Sequence, residues 1–309
     1  SHAQTGVAVR LGLNPTFPEV GCDSVREVSI YLGRGSYAPG DLVEGTVVVL
    51  TDEMFDCNSV NLRFLGIEKS RVVRGSGKHR RVYEEELTYF DEFLELEQES
   101  TIPEGETRYE FGIELPPDTI ASYTGIHGYI KYEIEAKVEV SWALDPRVKV
   151  EVPVTVETQF LEPMTLREKL EENETRFLEV EVERDVVCPG ESVKLEVRLT
   201  DAIDFRGLRC EILHEERVSP KGREEEYRTG LVEWYTEEFR LPRHVPVEIE
   251  MKTGDHWPRA FQSPLITCRY VLKVTLDIAW RFDKVIEVPL RYGKTGPDTD
   301  VRTTFGFEF

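Results

Sequence analysis

Histidines, cysteines and clustered carboxylates are the side chains of this 309-residue chain that could move protons, hold a metal or attack a carbonyl. Their spacing argues against each use. His214-Glu215 opens like the H-E-x-x-H signature of zinc proteases, but Val218 stands where the second imidazole must be, and the segment alternates like a strand. The six His are scattered, none with another His at ligand spacing. Cys22, Cys57, Cys188, Cys210 and Cys268 form an odd set without a C-x-x-C pair. That argues against a disulfide framework or a zinc site and for reduced thiols in a cytosolic setting. Gly33-Arg-Gly-Ser-Tyr-Ala38 imitates a dinucleotide fingerprint, yet Pro39-Gly40 leads into another strand, so no helix N-terminus follows to hold a phosphate. There is no G-x-S-x-G elbow and no Walker lysine loop. The acids at 84–86 and 224–226 flank turns and read as solvated hairpin ends rather than acid–base pairs. No catalytic residue, metal ligand, cofactor or small-molecule substrate is expected.

Two loops remain with the chemistry of recognition. Residues 69–81 carry six Lys or Arg and one His with no acid, among them Arg71, Arg74, Lys78, His79, Arg80 and Arg81. Gly75 and Gly77 loosen the tip, and the flanks read as the two strands of a hairpin. Such a finger suits phosphorylated peptides, acidic tails or anionic lipid heads. The plainer alternative is that it balances the acids at 84–86 across the hairpin. The second loop, 253–259, holds Asp255, His256 and Trp257. An exposed indole there would be a contact residue; an indole folded over the end of its own domain would be structural.

The elements that must position these loops are strands. Tyr132, Ile134, Ala136, Val138 and Val140 alternate with Glu133, Glu135, Lys137 and Glu139, and the same period recurs at 178–182, 193–199 and 272–278. One apolar and one polar face is the mark of antiparallel sheets covered on one side, which stack as sandwiches. The pattern is also duplicated. Tyr37-Ala-Pro-Gly-Asp41 and Val187-Cys-Pro-Gly-Glu191 each open a strand, with prolines 150 residues apart, and alternating runs end on Trp142 and Trp280, 138 apart. Two tandem immunoglobulin-like antiparallel β-sandwich domains with little helix are therefore expected: an extension 1–24, a first domain 25–157, a linker 158–175, a second domain 176–293 and a tail 294–309. The best helical candidate is 166–174 in the linker, with Thr165 as cap and Glu168 three residues on.

Composition narrows the partners. A net charge of −21 repels phosphate backbones, so nucleic-acid binding is not expected. No stretch approaches the roughly 20 apolar residues of a membrane span, and the N-terminal residues show no basic segment followed by an apolar one, so no signal peptide is expected.

The residues also resemble a known family. Tyr37-Ala-Pro-Gly-Asp41 followed by Gly45-Thr-Val-Val-Val-Leu50, then Val60-Asn-Leu-Arg-Phe-Leu-Gly66, is similar to the N-terminal domain of arrestin-fold proteins. Phe111-Gly-Ile-Glu-Leu-Pro-Pro117, leading to Ile130-Lys-Tyr-Glu-Ile-Glu-Ala136, resembles that domain's closing strands. Cys188-Pro-Gly-Glu191 and the run from Ser263 to Leu276 resemble the matching parts of the C-terminal domain. The likeness is nearer to α-arrestins and the arrestin-fold subunit of retromer than to receptor-desensitising arrestins. The segment 94–105 is short and acidic where those carry an amphipathic helix, and the first strand lacks their Lys-Lys pair. No PPxY sequence is present.

The resemblance implies a cytoplasmic, non-enzymatic scaffold or adaptor in membrane-protein trafficking or signalling, peripheral to membranes. Its partners would be proteins, such as cytoplasmic tails of membrane proteins or a coat or assembly subunit, with anionic-lipid contact through the basic loop. It also implies modest reorientation of the domains about 160–175, and a tail whose Phe305, Phe307 and Phe309 dock as an edge strand. The alternatives are a structural subunit of a stable retromer-like assembly and, from a third class, a carbohydrate-binding or carbohydrate-processing sandwich.

Overall fold

The computed structural model describes residues 26–141 and 144–296. The expectations placed on the extension 1–24, on Cys22, on Trp142 and on Phe305, Phe307 and Phe309 lie outside the described residues. The chain divides between Val156 and Glu157 into two units. Among the described residues no helix is long and apolar enough to cross a membrane.

The first unit is built from β1 (Arg26–Leu32), β2 (Leu42–Thr51), β3 (Phe55–Arg74), β4 (Arg81–Glu97), β5 (Ser100–Ile102), β6 (Gly105–Glu114), β7 (Tyr123–Thr124), β8 (Gly128–Val140) and β9 (Arg147–Glu151). One sheet has the order β1-β2-β6; the other runs β4-β3-β8-β7, with β5 on β3 and β9 on β8. Strict alternation along β8 buries Ile130, Tyr132, Ile134, Ala136 and Val138 completely. Facing them, β2 buries Val43, Val47 and Val49. Each of these Val and Ile side chains removed from water contributes about 1.5–3 kcal/mol before entropy is subtracted.

The second unit contains β10 (Leu166–Glu172), β11 (Thr175–Val182), β12 (Val186–Val187), β13 (Ser192–Leu199), β14 (Gly207–Val218), β15 (Glu225–Glu237), β16 (Pro246–Lys252), β17 (Phe261–Gln262), β18 (Ile266–Asp277) and β19 (Lys284–Tyr292). Its sheets are β10-β11-β13-β16 and β12-β19-β18-β14-β15, with β17 on β18. The all-β reading of the sequence holds.

The helix expected over 166–174 is instead strand β10, paired antiparallel with β11 from Leu166↔Val182 to Glu172↔Thr175. Asn173 and Glu174 both adopt positive φ (48° and 66°), which makes the two-residue hairpin turn whose twist matches its strands. Leu166 and Leu170, four apart, fit a helical stripe and a strand face equally well; packing against the second unit's core decides for the strand.

The repeat seen in the sequence is repeated in its details. In each unit a Pro-Gly turn closes with an i+3 hydrogen bond, Asp41 N–H to Ala38 O (3.0 Å) and Glu191 N–H to Cys188 O (3.1 Å), with Gly40 and Gly190 at positive φ. In each, a buried tyrosine of the central strand donates its hydroxyl to a carbonyl twelve residues earlier, Tyr132 to Ile120 and Tyr270 to Pro258. In each, an aspartate accepts the main-chain N–H of a buried residue five positions earlier, Asp145 from Val140 (3.1 Å) and Asp283 from Ile278 (3.0 Å).

Main-chain bonds also mark where each unit ends. Tyr37 N–H bonds Pro153 O and Thr155 N–H bonds Tyr37 O, which ties the chain to the first unit through Thr155. From Gln159 onward it belongs to the second: Leu161 N–H bonds Lys294 O and Lys294 N–H bonds Gln159 O. Asp185, 4% exposed at its side chain, anchors the same stretch by accepting from Arg291 (2.5 and 2.8 Å) and from Met164 N–H (2.8 Å). Residues 159–172, which the sequence assigned to a linker, are thus stitched into the second unit, leaving 156–158 between the two sets of ties.

Candidate functional site

The cationic loop sits at the end of the β3–β4 hairpin. β8 supports β3 only as far as Ser70↔Gly128, with one further bond from Arg71 N–H to His127 O (2.7 Å). The rungs beyond, Val72↔Tyr83, Val73↔Val82 and Arg74↔Arg81, pair β3 with β4 alone. The hairpin therefore overhangs its sheet. In the second unit the corresponding hairpin does not: β14 is paired with β18 through its last residue, Val218↔Ile266. At the tip, Gly75 and Gly77 take positive φ (77° and 54°), and a Cβ at Gly75 would lie 2.6 Å from His79 O, so that turn requires glycine.

The charges divide into two groups. Toward the sheet, Lys69 Nζ lies 2.7 Å from Glu84 and 3.4 Å from Glu86, and Arg71 approaches Glu84 at 4.0 Å. Bonding to Glu84, above all, holds the Lys69 ammonium above its ordinary pKa. This part of the loop does balance the facing acids. Toward the tip, Lys78, His79, Arg80 and Arg81 are exposed, and among the described residues Lys78, Arg80 and Arg81 make no ion pair. Beside them Val73 and Val82 form a cross-strand apolar pair, each more than two-fifths exposed. The outer ribbon can offer an anion several Lys and Arg donors, with a small apolar step behind them.

The second candidate loop divides differently. Asp255 and His256 are exposed, whereas Trp257 turns inward and stacks on Tyr270 with ring centroids 5.5 Å apart, against the second unit's core. Its indole is accordingly a packing group. Tyr270 in turn stacks on Tyr292 (5.7 Å) and contacts His214 (5.3 Å). His214 is buried in β14, with a main-chain hydrogen bond to Arg259 and no partner for Nε2 among the described residues; burial holds its pKa below the ordinary imidazole value. Glu215, fully buried on the opposite face of β14, is held by Arg269 and lies 3.1 Å from Arg228 and 3.7 Å from Arg217. Glu226 and Glu287 complete that balanced lattice by pairing the same arginines. Among the described residues no group of His, Cys, Asp and Glu has metal-binding geometry.

Sequence reasoning missed one exposed surface. It treated Trp280 as the end of a strand. The Asp283 lock instead shapes the β18–β19 loop so that Trp280 (φ 60°) is fully exposed and Phe282 is 95% exposed, with Arg281 between them. The signal was present: Ile278-x-Trp-x-x-Asp283 repeats Val140-x-Trp-x-x-Asp145, and Leu144, the residue matching Phe282, is also 95% exposed.

Residues 28–160 match the family model of the arrestin (or S-antigen) N-terminal domain. That match supports membership of the arrestin-fold superfamily. The match covers the first arrestin-like unit, including the overhanging hairpin; the second unit repeats its central antiparallel strands in the order β15-β14-β18-β19 against β4-β3-β8-β9. Arrestin-fold proteins are in general protein-binding adaptors.

Proposed function

We propose that this arrestin-like protein is a non-enzymatic, cytoplasmic adaptor in membrane-protein trafficking or signalling, and that it reads an anionic segment of a protein partner through the β3–β4 tip. The observation that carries the reading is the overhang of a cationic ribbon in a chain of net charge −21. A negatively charged body suppresses anion binding over most of a surface, so the exposed Lys78, Arg80 and Arg81 at the tip become the place where an acidic or phosphorylated segment settles. The exposed Asp255 and His256 are a secondary contact in this proposal.

The test is binding of a labelled acidic peptide, with and without phosphoserine, to the whole chain and to a variant with Arg71, Arg74, Lys78, Arg80 and Arg81 changed to Ser. Exposed charge pairs contribute about 0.2–1 kcal/mol each and 1.4 kcal/mol is tenfold, so the variant should bind roughly tenfold or more weakly. Salt raised from about 0.1 to 1 M, which shortens the screening length from about 10 to 3 Å, should weaken the wild type toward the variant. Equal affinities for the two proteins would sink the reading.

The alternative, a structural subunit of a stable retromer-like assembly, draws on a different feature. Among the described residues β1 pairs with β2 alone, so its outer edge is open to an added strand, while β10 covers the corresponding edge of β11. That reading expects one partner to co-purify stoichiometrically and to survive high salt.

A further inference from the structure

The tip carries one hydroxyl, flanked along the chain by the cationic residues. Ser76 lies between the two positive-φ glycines in an extended conformation (φ −137°, ψ 161°), is exposed, and its side chain makes no capping hydrogen bond. Its carbonyl accepts from His79 N–H (3.1 Å), which fixes the main chain and leaves the hydroxyl outward. Basic residues stand on both sides: Arg71 and Arg74 before it, Lys78, Arg80 and Arg81 after it. The last rung of the hairpin sets Arg74 directly opposite Arg81. Of the flanking cations, Lys78, Arg80 and Arg81 are exposed and make no ion pair among the described residues, so their charges are available to an anion at the tip.

We propose that Ser76 is a phosphorylation site for a basophilic serine kinase, and that its phosphate is captured by the flanking Arg and Lys and closes the tip to anionic partners. An acidic kinase cleft would recognise the flanking cations by charge, and the glycines let the extended segment enter it. In the transfer, Ser76 Oγ bonds to the γ-phosphorus of a nucleoside triphosphate. The bond from that phosphorus to the β,γ-bridging oxygen breaks, its electron pair leaves with the nucleoside diphosphate, and the hydroxyl proton passes to the kinase's base. The product adds about −1.5 to −2 charge where residues 74–81 hold four Lys or Arg and no acid. Lys78, Arg80 and Arg81 can then bond the phosphate. The proposal rests on the tip being the anion-reading element, and its two halves are tested separately from that reading.

The whole chain and its Ser76→Ala variant are incubated with magnesium ATP and a basophilic serine kinase, with a free peptide of residues 71–81 as the activity control. Peptide mapping should place one phosphate at Ser76 in the wild type and none at that position in the variant. A kinase that modifies the control peptide but leaves Ser76 of the folded chain untouched overturns the proposal. The phosphorylated chain should then bind the acidic probe peptide about tenfold more weakly than the unmodified chain, while the unmodified Ser76→Ala variant binds like wild type. Undiminished binding after modification overturns the switch. If the Lys/Arg→Ser tip variant has meanwhile lost binding, the adaptor reading survives that result; if that variant also binds like wild type, both fall.

Discussion

His214 is an ionisable ring kept neutral by its surroundings. Burial against Tyr270 disfavours the imidazolium more than Glu216 and the Arg259 main chain favour it, so its folded pKa lies below the ordinary value of 6.5. The unfolded chain therefore takes up this proton first as pH falls. The imidazole contributes no pH dependence above about 6.5, and below that the folded state loses stability down to its own lower pKa. Thermal melts between pH 7.5 and pH 5 should show a decline that His214→Phe removes, since phenylalanine keeps the ring contact and carries no proton. Parallel melting curves for the two proteins would count against this account. Asp185 acts in a different window. Burial alone would raise its carboxyl pKa, but Arg291 and the Met164 N–H outweigh that and hold it below 3.8, so its contribution is present above roughly pH 4 and is lost only in stronger acid.

Among the elements, the β3–β4 hairpin and the β18–β19 loop show how differently exposed and buried positions answer to change. At Gly66 in β3 an added Cβ would stand 2.8 Å from the Phe90 ring and 2.9 Å from Tyr132, two rings already stacked at 5.7 Å. Gly66→Ala should cost about 1–3 kcal/mol through that overpacking. The double change Trp280→Ser with Phe282→Ser should move stability by less than about 0.5 kcal/mol, because both side chains lie in solvent. Urea denaturation of both variants checks the contrast, and a large loss from the loop pair would mean that those side chains pack in solution. The strands themselves were legible from period-two alternation and Pro-Gly turns. Strand β10 was not, because Leu166 and Leu170 satisfy both periods and the deciding partner, β11, is set by packing. Nor could sequence tell which cations of the finger are neutralised: Lys69 stands in the ladder opposite Glu86 and bonds Glu84, whereas Lys78 lies in the tip turn beyond the last rung, and where the ladder ends depends on register.

For the molecule as a whole, duplication is the organising fact. Matching tyrosine bonds, Pro-Gly turns and Asp-closed loops recur in both units, and the copies diverge at the hairpin that overhangs and at the strand that covers an edge. The divergence at the edge governs how the gene can be divided. A second-unit fragment begun at 176, the boundary the alternation suggests, would discard β10, bare the ladder of β11 and remove Met164, a hydrogen-bond donor to buried Asp185. Bare edges pair with one another. In size-exclusion chromatography with light scattering, such a fragment should associate, whereas one begun at 157 should run as a monomer; equal behaviour would show that β10 is dispensable. The strand mistaken for a tether would then be the second unit's guard against self-pairing, and the place to cut lies within 156–158.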